Sequence, residues 1–301
     1  MKTIRLLLPL ALLLATAQAV AGTPINETRP LAADGHLDIG NVKGEVNVTA
    51  WDQNQVRITG TLGDGVRKLE IEGDAHDLTI KVRGPDSGGL FNWGSDSSMG
   101  PTVLNVQVPR GTNLEVHTVS ADTSVHGLAG GKLDIGSVSG AVDIDARSPK
   151  LSLETVSGNI ELAGMFDDAD INTVSGDVVA PALGAIAKVE TVSGDVRIGG
   201  GPFRKLAMNS VSGDMEIRGA LADAGNIDVD SMSGDVTLDL PGGLSAKIDA
   251  SSFSGDLRSD WGSVQEHEHG PGSELKATAG GGNGNVTVET FSGDLRLHKG
   301  N

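Results

Sequence analysis

One octet, seen as TVSGDVRI at Thr191–Ile198, recurs through the chain as TVSGDVVA, TVSGNIEL, SVSGAVDI, SVSGDMEI, SMSGDVTL, SFSGDLRS and TFSGDLRL. Its glycines are Gly140, Gly158, Gly176, Gly194, Gly213, Gly234, Gly255 and Gly293, spaced by 18, 18, 18, 19, 21, 21 and 38 residues. A fixed period of this size requires stacked supersecondary units, because one unit cannot close its own apolar face.

Numbering each copy from its glycine as position 0 makes the slots readable. Position −5 holds Ile135, Leu153, Ile171, Val189, Met208, Val229, Ala250 and Val288. Position −2 holds Val138, Val156, Val174, Val192, Val211, Met232, Phe253 and Phe291, and position +2 is apolar in every copy. Positions −7 and +4 are apolar too, with Ser259 the exception at +4. Such alternation is that of β-strands. Apolar residues at both −5 and −2 break the phase, which predicts a corner between them with −2 facing inward. Ser or Thr at −3 and Ser at −1 are then expected to satisfy corner backbone groups, and Gly to supply positive φ.

The expected fold is therefore all-β: a single-stranded, parallel β-solenoid (β-helix) with coils of about 18–21 residues. It is expected to be right-handed, as parallel crossovers are. Leu37, Ile39, Val42, Gly44, Val46 and Val48 fill the same slots upstream, and Thr118–Asp122 repeats the motif with Ala121 at position 0. VRITGTLGDG and LTIKVRG, between them, read as degenerate coils. This organises residues 22–301 as one solenoid domain, degenerate over 22–110 and regular over 111–301. A Gly/Ser-rich loop is expected at 84–101. An irregular stretch at 261–285 reads as a poorly matched coil, a loop or a cover over the stack.

Lys2 and Arg5, the apolar run Leu6–Leu14 and Ala17-Gln18-Ala19 make residues 1–21 a secretory signal peptide, too short for a comfortable membrane span. No later stretch is apolar enough to span a bilayer, and the chain has no cysteine for a disulfide or a lipid anchor. The expected location is periplasmic or secreted. The formal charge is −17, and loss of Lys2 and Arg5 makes it −19, which excludes nucleic acid as a partner.

With the repeat in view, LDIGNVKGEVNV, AWDQNQVRITG, VPRGTNLEVHTVSADTSV and the TVSGDV coils ending in VTVETFSGDLRL resemble the bacterial putative-adhesin family of β-strand-repeat proteins. That family carries a domain of unknown function and is related to auto-transporter-adhesin-like head domains. The resemblance covers nearly the whole mature chain. It implies a right-handed parallel β-solenoid in the cell envelope, with no established reaction and no catalytic motif.

No histidine recurs with the motif serines, so the serines lack the base a nucleophile needs. Asp167-Asp168-Asp170 reads as decoration of an exposed turn, and Glu266-His267-Glu268-His269 as a solvated loop rather than a metal site. Phe91 and Trp93, flanked by Gly and Ser, are candidate partner contacts. Asp177, Asp195, Asp214, Asp235 and Asp256 share position +1, where stacking would set carboxylates ~4.8 Å apart. Hydrogen bonds within each bend, Arg197, Arg258 and Arg296, or weak Ca2+ binding could relieve their repulsion; no other cofactor is expected. Two functions stay open: a non-enzymatic envelope scaffold that binds an envelope protein or glycan, and a carbohydrate-active enzyme or sugar-binding module. A cluster of Asp, Arg and His converging on a groove would favour the second.

Overall fold

The structure, a computed structural model, describes residues 22–84, 99–266 and 271–300. Over these the chain is strand, turn and bend with no helix, and its 21 strands join one hydrogen-bonded sheet. The signal-peptide reading and the Phe91 and Trp93 contacts lie outside the described residues.

A regular coil has an entering strand that ends at −1 and a leaving strand that begins at +2. In the first these are β8 (Leu133–Ser139) and β9 (Val142–Ser148). β10 (Leu151–Ser157) stacks parallel on β8, with Leu151 opposite Leu133 and Leu153 opposite Ile135. From there β11 (Ile160–Ser175), β12 (Val178–Ser193), β13 (Val196–Ser212) and β14 (Met215–Ser233) each run from one coil's leaving strand into the next coil's entering strand. Like stacks on like: Ile171 lies opposite Val189, Val189 opposite Met208, and Met208 opposite Val229. These residues, with those at +2 and +4, form a continuous buried column, widened by Phe166 and Phe203. The fold is thus an all-β solenoid with parallel strands in its core.

The stack does not follow chain order at its ends. β2 (His36–Trp51) pairs parallel on one side with β7 (Asn113–Ala129) and on the other with β5 (Asp77–Arg83) and β6 (Thr102–Pro109). LTIKVRG therefore supplies half a coil. VRITGTLGDG does not form a coil: β3 (Gln55–Leu62) lies antiparallel on β6, β1 (Thr23–Pro30) antiparallel on β3, and β4 (Lys68–Gly73) antiparallel on β5.

The other end mirrors this. β20 (Gly284–Ser292) sits between β14 and β16 (Ala246–Ser254), and β21 (Leu295–Gly300) between β15 (Val236–Pro241) and β17 (Leu257–Ser259). The last repeat in sequence is thus the penultimate coil in space. The irregular stretch is a cover: β19 (Ser273–Ala279) pairs antiparallel with β16, and β18 (Gln265–Glu266) with β19. A bare parallel edge would present unpaired N–H and C=O groups, and a further parallel coil would only move that edge outward. An antiparallel return strand covers it through a short connection.

The corner also differs from the sequence expectation. Entering strands continue unbroken to −1, so −7, −5 and −3 all point inward and −2 points out. Thr155, Thr173, Thr191, Ser210 and Ser231 at −3 are buried, and the apolar residues at −2 are exposed. The chain turns instead at 0 and +1, where the motif glycines have φ between +126° and +151°. The inside of this bend admits only short side chains, which explains Ser or Thr at −3. Those hydroxyls do little for the corner backbone. Among the described residues, the five just named have no hydrogen-bond partner, whereas Ser252 and Thr290 donate to the Gly293 carbonyl.

Candidate functional site

The outward −2 residues stack into a ridge. Its order along the stack is Val138, Val156, Val174, Val192, Val211, Met232, Phe291 and Phe253, each 39–60 % exposed. Val119 extends it half-buried at one end. The last two rungs are aromatic, with Phe291 and Phe253 rings stacked at 4.9 Å between centroids and 9° between planes. Soluble proteins seldom expose an unbroken apolar row of this kind without a partner for it.

A groove of about 1410 Å³ runs along this ridge. Its second wall is the outward −4 row of the same strands, where Glu154, Glu190, Asp230 and Glu289 are the acids and Asn172 and Asn209 lie between the first three. Pro271, Gly272, Ser273 and Glu274 line the end beside Phe253. Among the described residues that line the groove there is no Lys or Arg. Lys188, one row further out, bonds Glu190 at 2.9 Å. Burial first, and then the neighbouring Asp228, pushes the Asp230 carboxyl above its ordinary range.

The other flank of the ridge is the +1 row. Here the expectation of bonds within each bend is corrected, because the bonds run between coils. Asp177 Oδ1 accepts the Asp195 N–H at 3.0 Å, Asp195 Oδ1 that of Asp214 at 3.1 Å, and Asp214 Oδ1 that of Asp235 at 2.9 Å. Through the interleaved end, Asp235 Oδ1 accepts from Asp294 at 2.9 Å and Asp294 Oδ1 from Asp256 at 3.1 Å. Asn159 serves Asp177 in the same way. The outer oxygens meet arginine: Arg197 bonds Asp195, Arg258 bonds Asp256, and Arg296 bridges Asp235 and Asp294. The Asp294 N–H, followed by Arg296, holds the Asp235 carboxyl below its ordinary value of 3.8. Among the described residues no three acid or histidine side chains converge as metal ligands would.

These features form one continuous face along the stack. The acids of the groove recur at intervals along it, and among the described residues that line it no Arg joins them. His117 lines the far end, with its Nε2 2.6 Å from Glu115 Oε1. The ridge also needed the structure: −3 and −2 are adjacent and alternation can be counted through either, and it is the burial of −3 that places −2 outside. The acidic wall needed the stack, since Glu154, Glu190 and Glu289 lie far apart in sequence.

The profile of a known family matches residues 35–298. The chain belongs to the Toastrack DUF4097 family. No curated protein matches it. Solved structures similar to this Toastrack chain include a putative adhesin from Bacteroides fragilis, at 15 % identity over 91 % of this chain and 97 % of that one, with a TM-score of 0.43. A putative lipid binding protein from Parabacteroides distasonis aligns at 14 % identity over 92 % and 98 %, with a TM-score of 0.49. A putative adhesin from the same organism aligns at 13 % identity over 92 % and 97 %, with a TM-score of 0.38. Among the described residues no helix is long and apolar enough to cross a membrane.

Proposed function

We propose that this protein is a non-enzymatic interaction scaffold of the cell envelope, periplasmic or secreted, which binds a partner along the outer ridge. The observation that carries the reading is the unbroken row of exposed apolar residues from Val138 to Phe253 in one groove. The rungs lie outside the buried column, which the inward slots hold together, so making a rung polar leaves that column intact. The row is therefore better accounted for by binding than by folding. The carbohydrate-active alternative loses ground because the groove repeats one environment along its length, where cleavage needs a local pair of carboxylates.

The test compares the wild type with Val174→Ser/Val192→Ser/Val211→Ser as bait for envelope proteins and glycans. Equal melting temperatures with loss of the captured partner support the scaffold reading. Retention of every partner by the folded variant rejects the ridge as the binding face.

A further inference from the structure

We infer that the groove takes a cationic amphipathic α-helix of a partner protein, laid along the stack with its apolar face on the Val138–Phe253 ridge. The inference rests on the scaffold reading and names the partner's chemistry. Three observations lead to it.

The first is charge. Glu154, Glu190, Asp230 and Glu289 stand on one side of the ridge and the +1 aspartates on the other, within a chain of net charge −17. A second copy of this chain would set acidic rows against acidic rows, and an anionic lipid or nucleic-acid surface would be repelled in the same way. A basic partner gains most on the −4 flank, because Arg197, Arg258 and Arg296 already pair with aspartates on the other.

The second is the repeat. The rungs follow the strand spacing of ~4.8 Å, while a helix presents one turn every ~5.4 Å. The two drift by only ~0.6 Å per turn, so about four turns stay within half a rung. An extended chain along the same line shows one face every ~6.6 Å and loses register after a single contact. Nor can a strand pair with the ridge, because the backbone beneath already bonds to the coils on both sides.

The third is the alternation of the wall. Glu154, Asn172, Glu190, Asn209 and Asp230 occupy successive rungs, so acids recur every second rung, at ~9.6 Å. Seven residues of helix advance ~10.5 Å. Lys or Arg at i, i+7 and i+14, beside an apolar stripe, meets all three acids. Glycans fit less well: most of the ridge is aliphatic, and the two aromatic rings already stack on each other.

The probe is a synthetic 18-residue amphipathic helix with a leucine stripe and lysine at heptad spacing. Two controls accompany it: the same composition scrambled to remove the stripe, and a version with every lysine made glutamate. Binding is read by fluorescence anisotropy at near-physiological salt, with a helical circular-dichroism signal on binding. The expected result is micromolar affinity for the amphipathic peptide. Glu154→Gln/Glu190→Gln/Asp230→Asn should weaken it about tenfold, and the triple ridge variant by tenfold or more. Equal binding of the scrambled peptide, an unchanged affinity in the charge variant, or no binding at all overturns the inference. If the ridge variant loses an envelope partner that the peptide does not displace, the scaffold reading stands and the helix falls. If the ridge variant keeps every partner, both fall.

Discussion

Replacing Gly194 with alanine probes what holds neighbouring coils in contact. Its φ is +131°, and an added Cβ would sit 2.2 Å from the Gly176 carbonyl oxygen in the coil below. Two costs follow. A side chain in this region of φ stores roughly 1–3 kcal/mol of strain. To restore an ordinary 3.4 Å contact the corner must also open by about 1.2 Å. That movement stretches the two bonds that flank it, Gly176 N–H to Ser193 O at 3.2 Å and Val178 N–H to Asp195 O at 2.9 Å. Each is worth about 1 kcal/mol net, so the total is roughly 3–5 kcal/mol. Two other glycines separate the terms. Gly130 has φ +100° with nothing within 4 Å of its added Cβ, so Gly130→Ala reports strain alone. Gly184 lies outside the left-handed region, but its added Cβ would fall 2.5 Å from the Phe166 carbonyl oxygen, so Gly184→Ala reports the close approach alone. Urea midpoints at constant m give the three values, and hydrogen exchange at Val178 locates the opening. If Gly194→Ala costs no more than Gly130→Ala, close contact between coils is not what selects glycine here.

Four further outcomes are expected. Thr173→Val replaces a buried hydroxyl that has no partner with a methyl of the same shape, so thermal melting should show stability unchanged or raised by about 1 kcal/mol; a loss of that size would reveal a hydrogen bond. Asp195→Asn keeps an Oδ1 acceptor for the Asp214 N–H, as Asn159 does for Asp177, and should be near neutral, whereas Asp195→Ala should cost about 1 kcal/mol. Because arginines and inter-coil N–H groups already offset repulsion in this ladder, calcium should raise the melting temperature no more than sodium chloride of equal ionic strength; a larger rise, lost on Asn substitution at Asp177, Asp195 and Asp214, would assign the ladder a cation. Asp235 has its folded pKa lowered, so its contribution is complete above the ordinary 3.8 and is lost as pH falls through the lower folded value. Melting of Asp235→Asn should therefore converge on the wild type in strong acid, and a constant gap across the acid range would contradict this.

The sequence alone determined the coil. The spacing of the motif glycines set its length, and the apolar slots at −7, −5, +2 and +4 named the inward column. The invariant glycine marked positive φ, and the aspartate after it marked a stacked row. These features are local, because each coil satisfies its own alternation and its own bend. Two things were decided only by the tertiary structure. At the corner, Ser or Thr at −3 and Val at −2 are adjacent and alternation can be counted across either. The narrowness of the bend puts the short hydroxyls inside and the valines out, which turned an expected core row into the candidate binding face. At the ends, the order of coils differs from the order of repeats. Val229, Val288 and Ala250 occupy the same inward slot, so any of these coils can stack on any other with equal local fit. Nothing within a repeat names its neighbour. The choice falls to the antiparallel covers, which must close the open edges and leave β2 and β20 one coil in from each end.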